Sequence, residues 1–259
     1  MKRRIALVCL DVDGTLTDGA GGPALPGAAA AVARLRAALP VRLVTNTTSV
    51  SHSALARHLI GLKLLDVAES LWTPVSAARR VLPERGHDSG ILLVEEAARG
   101  DYSWFREDPS GPAVVLATEA HGHRVAELQP AFRRLLDGAA FYALQRNRYF
   151  KKGGGELVTD IGPLAAFLGY ASGREATTLG KPSPLLYDAI AAEVGASRAE
   201  IVMVGDDAEF DVAASVALGM QGVLVKTGKY RKGDEGGIQP QPTAVLESVS
   251  ELPRWLGIE

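Results

Sequence analysis

At 259 residues and 27.3 kDa the chain has room for one large domain or two small ones, and either folds without disulfides or a structural metal. Its 47% hydrophobic and 22% charged residues are a globular composition, which excludes a disordered chain. The 28 Lys and Arg against 30 Asp and Glu leave a net charge of −2, so no basic excess points to a nucleic-acid partner. The longest apolar runs, such as residues 5–10 and 222–225, fall far short of the roughly 20 residues that span a bilayer. The first residues, Met-Lys-Arg-Arg, have the charge of a signal-peptide start. Asp11 and Asp13 then interrupt the apolar stretch, and no small-residue cleavage site follows. The only cysteine, Cys9, has no partner for an intrachain disulfide, which favours a reducing, cytoplasmic setting. Inside an apolar run, that thiol is expected to be a core residue.

Residues 4–10 are a continuous apolar run ending in a polar, Gly-containing turn. They are expected to form a strand covered on both faces, as in a parallel sheet. A Gly/Pro-rich loop over 19–27 leads to an alanine-rich helix over 28–38, ended by Pro40. A strand over 41–44 and a helix over 51–60 follow. The middle of the chain carries weaker signals: helices over 75–82, 129–136 and 162–170, and strands over 90–94, 113–117 and 140–144. The last third predicts a helix over 185–194, a strand over 201–204, a helix over 211–218 and a strand over 223–225. A loop-rich tail follows Thr227, with a short segment carrying Trp255. Alternating strands and helices predict an α/β fold.

Three polar clusters stand where predicted strands end, the place where open parallel sheets bind ligands. They are Asp11-Val-Asp13-Gly14-Thr15, Thr45-Asn46-Thr47-Thr48, and Gly205-Asp206-Asp207 with Asp211 four residues on. Alternate strand residues point the same way, so Asp11 and Asp13 can converge, and Gly14 allows a sharp turn with exposed N–H groups. Gly180-Lys181-Pro182-Ser183-Pro184 stands before a helix start. Two unit charges about 4 Å apart repel by about 4 kcal/mol at an effective dielectric of ~20, so gathered carboxylates call for a cation. Hard oxygen ligands favour Mg²⁺. Mg²⁺, Lys181, hydroxyl donors and a turn rich in N–H groups suit a phosphoryl group. Each element also has a plainer reading: a surface Asp pair, ordinary loop residues after a strand, a helix cap at Gly-Asp-Asp, a solvated lysine.

Leu10-Asp-Val-Asp-Gly-Thr-Leu16, Val44-Thr-Asn46, Gly180-Lys-Pro182 and Gly205-Asp-Asp-Ala-Glu-Phe-Asp211 resemble the four motifs of the haloacid dehalogenase-like hydrolase superfamily. The long interval from Thr48 to Gly180 is similar to its NagD-like subclass IIA, which carries a cap domain between the second and third motifs. Phe132-Arg-Arg-Leu-Leu-Asp-Gly138, Arg148-Tyr-Phe-Lys-Lys152 and Val225-Lys-Thr-Gly-Lys-Tyr-Arg231 resemble the branch of phospholysine phosphohistidine inorganic pyrophosphate phosphatase and its hydrolase-domain relatives. The resemblance spans nearly the whole chain and is weakest over residues 95–112. It implies a Rossmann-like catalytic core over residues 1–76 and 178–259 and an inserted α/β cap of the C2 type over 77–177.

The resemblance also implies a Mg²⁺-dependent phosphatase of small phosphorylated molecules. Asp11 is then the nucleophile that forms an aspartyl-phosphate, and Asp13 the general acid and base. The Asp11 side chain, the Asp13 backbone carbonyl and the Asp206 side chain hold Mg²⁺. Thr45 and the Asn46 backbone grip phosphoryl oxygens, and Lys181 offsets charge. Asp207 and Asp211 orient Lys181 or metal-bound water instead of ligating. The alternatives are a phospho-accepting signalling module, disfavoured by chain length and by an acceptor on the first strand, and a catalytically idle binding protein. No membrane or nucleic-acid partner is expected, and a homodimer through the cap is compatible with the family. His121-Gly-His123 is expected in an exposed cap loop. The basic stretch 146–152 either lines the cap side of the pocket or forms a solvated hairpin turning at Gly153-Gly-Gly155.

Overall fold

The computed structural model describes residues 4–19, 21–48, 50–118, 124–151 and 156–258. In chain order, β1 (Leu7–Leu10), α1 (Ala28–Ala38), β2 (Val41–Val44), α2 (His52–Gly61) and β3 (Leu71–Trp72) come first. Then follow α3 (Pro74–Glu84), β4 (Ser89–Leu93), β5 (Arg106–Glu107), β6 (Ala113–Leu116), α4 (Gln129–Leu136) and β7 (Ala140–Ala143). A hairpin of β8 (Tyr149–Lys151) and β9 (Leu157–Thr159) precedes α5 (Ile161–Ser172) and β10 (Thr177–Thr178). The chain ends with α6 (Pro184–Val194), β11 (Ile201–Gly205), α7 (Ala214–Ala217), β12 (Gln221–Val225), α8 (Asp234–Gly237), β13 (Ala244–Leu246) and α9 (Leu252–Leu256).

These elements form two compact units. One comprises Met1–Thr45, His52–Trp72 and Lys181–Glu259; the other comprises Asn46–Ser51 and Thr73–Gly180. The first unit holds an all-parallel sheet in the order β13-β12-β11-β1-β2-β3. The chain leaves β1 toward one edge through β2 and β3, then returns to pair β11 on the other side of β1. The order therefore reverses between β1 and β11. Such a switch point opens a crevice at the carboxyl ends of the two strands. The second unit holds a parallel sheet in the order β10-β7-β6-β4-β5, with β8 and β9 as a separate antiparallel pair.

The central strands are apolar throughout because both faces are covered. Every residue of β1 and β11 is buried, and so are the four residues of β6. Val8 and Leu10 of β1, Leu43 of β2, Val204 of β11 and Val32 and Leu35 of α1 share one core. Cys9, between Val8 and Leu10 on β1, is also fully buried, and burial pushes its thiol up to about 12, as expected of an inert core residue.

The elements expected over 28–38, 41–44 and 129–136 form with those bounds. Other expectations are corrected. β1 begins at Leu7, not at residue 4, and ends at Leu10. Asp11 and Asp13 therefore stand in the loop beyond the strand, and strand alternation is not what brings them together. The helix expected over 211–218 starts earlier, as a π-helical turn over Ala208–Ala213 that runs into α7. The Asp207 carboxylate caps it by accepting from the N–H groups of Glu209 and Phe210, so helical geometry begins directly after Asp207. The tail expected to be loop contains β13, paired to β12, besides α8 and α9. Of the two readings of 146–152, a hairpin is seen, with β8 paired to β9 and Tyr149 61% exposed. The expectations of an exposed loop at His121-Gly-His123 and a turn at Gly153-Gly-Gly155 fall on residues 119–123 and 152–155, which lie outside the described residues.

Leu43 is fully buried at the centre of the first unit's core. Leu43→Ala is expected to destabilise the chain by about 2–5 kcal/mol, read as a lower midpoint in urea with an unchanged slope.

Candidate active site

The loop after β1 closes on itself. The N–H groups of Leu16 and Thr17 both donate to the Val12 carbonyl, at 2.9 and 3.0 Å, and the Gly14 N–H donates to the Thr17 carbonyl at 2.8 Å. The expectation that this turn exposes its N–H groups is thus overturned for Gly14, Leu16 and Thr17, whose donors are spent within the loop. What the loop presents is carboxylate. Asp11 is 5% exposed and accepts a hydrogen bond from the buried Thr15 hydroxyl at 3.3 Å. Asp13 is half-buried, and its Oδ2 accepts from the Thr45 hydroxyl at the end of β2, at 3.4 Å.

Lys181 joins Asp11 to Asp211. Its ammonium donates to Asp11 Oδ1 and lies 2.8 Å from Asp211 Oδ1, and all three side chains are buried. Asp206 follows β11 directly, so the switch point of the sheet sets it beside the loop after β1. Asp11, Asp206 and Asp211 each offer a carboxylate oxygen within 4.8 Å of the others. Three ionised carboxylates against one ammonium would leave two excess negative charges in a buried space. The charged forms are accordingly disfavoured. Burial pushes Asp11 up to about 6 against the pull of Lys181, with Asp206 adding to the rise. Burial pushes Asp206 up to about 6, opposed by the N–H of Lys229. Burial pushes Asp211 up to about 7, again against Lys181. Burial by itself would lower Lys181, but Asp11 and Asp211 outweigh it and hold the ammonium well above the ordinary lysine value.

A divalent cation fits these residues. The donors are hard carboxylate oxygens, the excess charge is negative, and Asp206 Oδ1 is buried with no hydrogen-bond partner. Asp207, by contrast, caps the following helical turn, and its Oδ2 lies 3.4 Å from the Lys229 ammonium. Asn46 belongs to the second unit, where its side-chain oxygen lies against Gly180. Two residues absent from the sequence-based site touch it: Thr15 on Asp11, and Lys229, whose backbone N–H donates to Asp206 Oδ2 at 2.6 Å. Their contacts depend on loop geometry. In the sequence Lys229 stands out only as part of the segment 225–231 that resembles a branch motif, which assigns it no place at the site.

The shifted carboxyls give stability an unusual pH dependence. The folded chain keeps protons on these acids up to about pH 6–7, whereas the unfolded chain releases them near pH 4. The native state therefore binds more protons across this window, and stability falls as pH rises through it. In EDTA the thermal midpoint is expected to rise on acidification from pH 7.5 to 5.5. Asp206→Asn is expected to be the more stable protein at pH 7.5, by roughly 5 °C, with a flatter slope. Equal slopes in thermal scans of the two proteins would contradict the coupling.

Two family models match the chain: haloacid dehalogenase-like hydrolase over residues 8–101 and HAD-hydrolase-like over residues 178–252. The chain is 37% identical over 249 residues to haloacid dehalogenase-like hydrolase domain-containing protein 2 of Bos taurus, covering 95% of this chain and 94% of that protein. It is 36% identical over 251 residues to phospholysine phosphohistidine inorganic pyrophosphate phosphatase of Bos taurus, covering 94% and 91%. Its fold superimposes on NagD from E. coli K-12 with a TM-score of 0.83 at 24% identity, covering 96% and 98% of the two chains. With family models matching residues 8–101 and 178–252 and relatives above 30% identity covering 94–95% of it, the chain belongs to the haloacid dehalogenase-like hydrolase family.

Proposed function

We propose that the chain is a Mg²⁺-dependent phosphatase of small phosphorylated molecules that works through an aspartyl-phosphate on Asp11. The observation that carries this reading is the buried trio Asp11, Asp206 and Asp211 around Lys181, with one Asp206 oxygen left unpartnered. The names of relatives that are phosphatases point the same way.

In this reading the Asp11 side chain, the Asp13 backbone carbonyl and the Asp206 side chain hold Mg²⁺. When bound, the ion offsets carboxylate charge and withdraws electrons from the phosphoryl group. Asp11 attacks phosphorus, the bond to the leaving group breaks, and the phosphoryl group rests on its carboxylate. Asp13 gives its proton to the departing oxygen or nitrogen, then takes one from the water that hydrolyses the acyl phosphate. The Thr45 hydroxyl donates to Asp13 in the structure; with substrate present its single hydrogen turns to a phosphoryl oxygen, which the Asn46 backbone also grips. Lys181 offsets negative charge on Asp11 and on the transferred group, and Asp211 holds Lys181 in place. Asp207 serves the helix that carries Asp211. Positioning and charge stabilisation supply most of the rate in phosphoryl transfer, so these few groups suffice.

The second compact unit is read as the substrate-selecting cap, and substrates as small molecules. Among the described residues no helix is long and apolar enough to cross a membrane. A cytoplasmic setting is part of the same proposal, and so is a homodimer made through the cap.

Release of inorganic phosphate from p-nitrophenyl phosphate tests the reading. The wild type is expected to need Mg²⁺ and to lose turnover in EDTA. Asp11→Asn is expected to abolish release, and Asp13→Ala to cost about 10²–10⁴-fold in kcat. Undiminished release by Asp11→Asn would remove the nucleophile and with it the proposed mechanism.

A further inference from the structure

The acid cluster is held from a side outside the four motifs. Residues 227–229 follow β12 and touch both the loop after β1 and the carboxylate after β11. The Thr227 hydroxyl donates to the Gly14 carbonyl at 2.6 Å, joining positions 213 residues apart. The Lys229 N–H donates to Asp206 Oδ2 at 2.6 Å. Between them, Gly228 at φ 57° packs against Gly14 at φ 91°, and a Cβ on either glycine would overlap Asp206 Oδ2.

These contacts have two consequences. At Asp206, Oδ2 is committed to a backbone donor while Oδ1 stays buried and unpartnered, so the carboxylate offers a single oxygen. In the loop, Gly14 is fixed on both sides. Its N–H donates to the Thr17 carbonyl, and its own carbonyl accepts from Thr227. Because the peptide unit is planar, fixing the Gly14 N–H also fixes the direction of the Asp13 carbonyl. Mg²⁺ demands near-ideal octahedral oxygen geometry, so it is sensitive to small displacements of such oxygens.

We propose that residues 227–229 are a positioning strap for the divalent cation. The strap holds Asp206 with one oxygen free and anchors Gly14 by its carbonyl, next to the Asp13–Gly14 peptide that the Thr17 carbonyl holds from within the loop, so that both oxygens are preset before the ion arrives. The inference rests on the reading of Asp13 and Asp206 as cation ligands. Thr227 and Lys229 are positioning residues: they act through Gly14 and Asp206.

Calorimetric titration of the full chain with MgCl₂ alone tests the strap, alongside thermal midpoints in EDTA. Thr227→Val is expected to weaken Mg²⁺ binding about 10–100-fold, the usual cost of losing a partner behind a metal ligand, with a midpoint within roughly 3 °C of wild type. Thr227→Ser keeps the hydroxyl and is expected to restore affinity to within about threefold of wild type. Lys226→Ala breaks only a neighbouring surface ion pair with Glu247 and is expected to bind as wild type does. If the valine variant fails to fold, Thr227→Ala carries the same expectations. Unchanged affinity in Thr227→Val, with binding abolished in Asp206→Asn, overturns the strap and leaves the cation reading standing. A loss of affinity that tracks a fall in midpoint and is not rescued by serine overturns it as a general folding effect. Absence of Mg²⁺ binding in wild type, or binding unchanged by Asp206→Asn, overturns the cation reading and the strap with it.

Discussion

The ammonium of Lys181 between Asp11 and Asp211, with Asp206 close by, is the interaction on which the rest of the site depends. Buried ion pairs gain little net stability, because desolvation consumes most of the Coulomb attraction, and here the charges do not even balance. A fold arranged for stability alone would fill this space with apolar side chains. The imbalance has a chemical use. Burial, together with that imbalance, lifts the three carboxyls toward neutral pH and leaves three carboxylate oxygens close enough together to hold a metal ion.

The sheet order is what allows so few residues to meet. β1 and β11 are neighbours although about 190 positions separate them, and their carboxyl ends deliver Asp11 and Asp206 to one crevice. Both strands are wholly buried, so core packing on both faces sets where their ends stand. The loop after β1 spends its own N–H groups on Val12 and Thr17 instead of presenting them outward. Its contribution is shape: a closed turn from which Asp11 and Asp13 project. Hydroxyls from Thr15, Thr45 and Thr227 then tie that turn to its surroundings.

Legibility in the sequence followed burial and length. The strand over 113–117 and the helix over 129–136 were readable because an unbroken apolar run and amphipathic spacing leave few other choices. Strands of two or three residues, such as β3, β5 and β10, carry no periodicity and exist only because a longer neighbour offers an open edge. β13 was hidden in the same way within a tail rich in glycine and proline. At the site, Asp11, Asp13, Thr45, Lys181, Asp206 and Asp211 were legible as polar residues in places where the chain is otherwise apolar. Lys229 and Thr227 were not, because a backbone N–H and a loop hydroxyl leave no mark that distinguishes them from ordinary turn residues.

The sequence by itself determined the α/β alternation, the family through its four motifs, and the acids and the lysine that the fold gathers into one cluster. These follow from residue type and local order, which a linear chain displays directly. Only the tertiary structure decided how those groups are shared out. Lys181 is divided between Asp11 and Asp211, and Asp206 keeps one oxygen free while Lys229 holds the other. Each of these is a contact between segments far apart in the chain or a matter of backbone direction in a loop. Such contacts exist only after parallel strands have paired across long crossovers, and no local pattern encodes them.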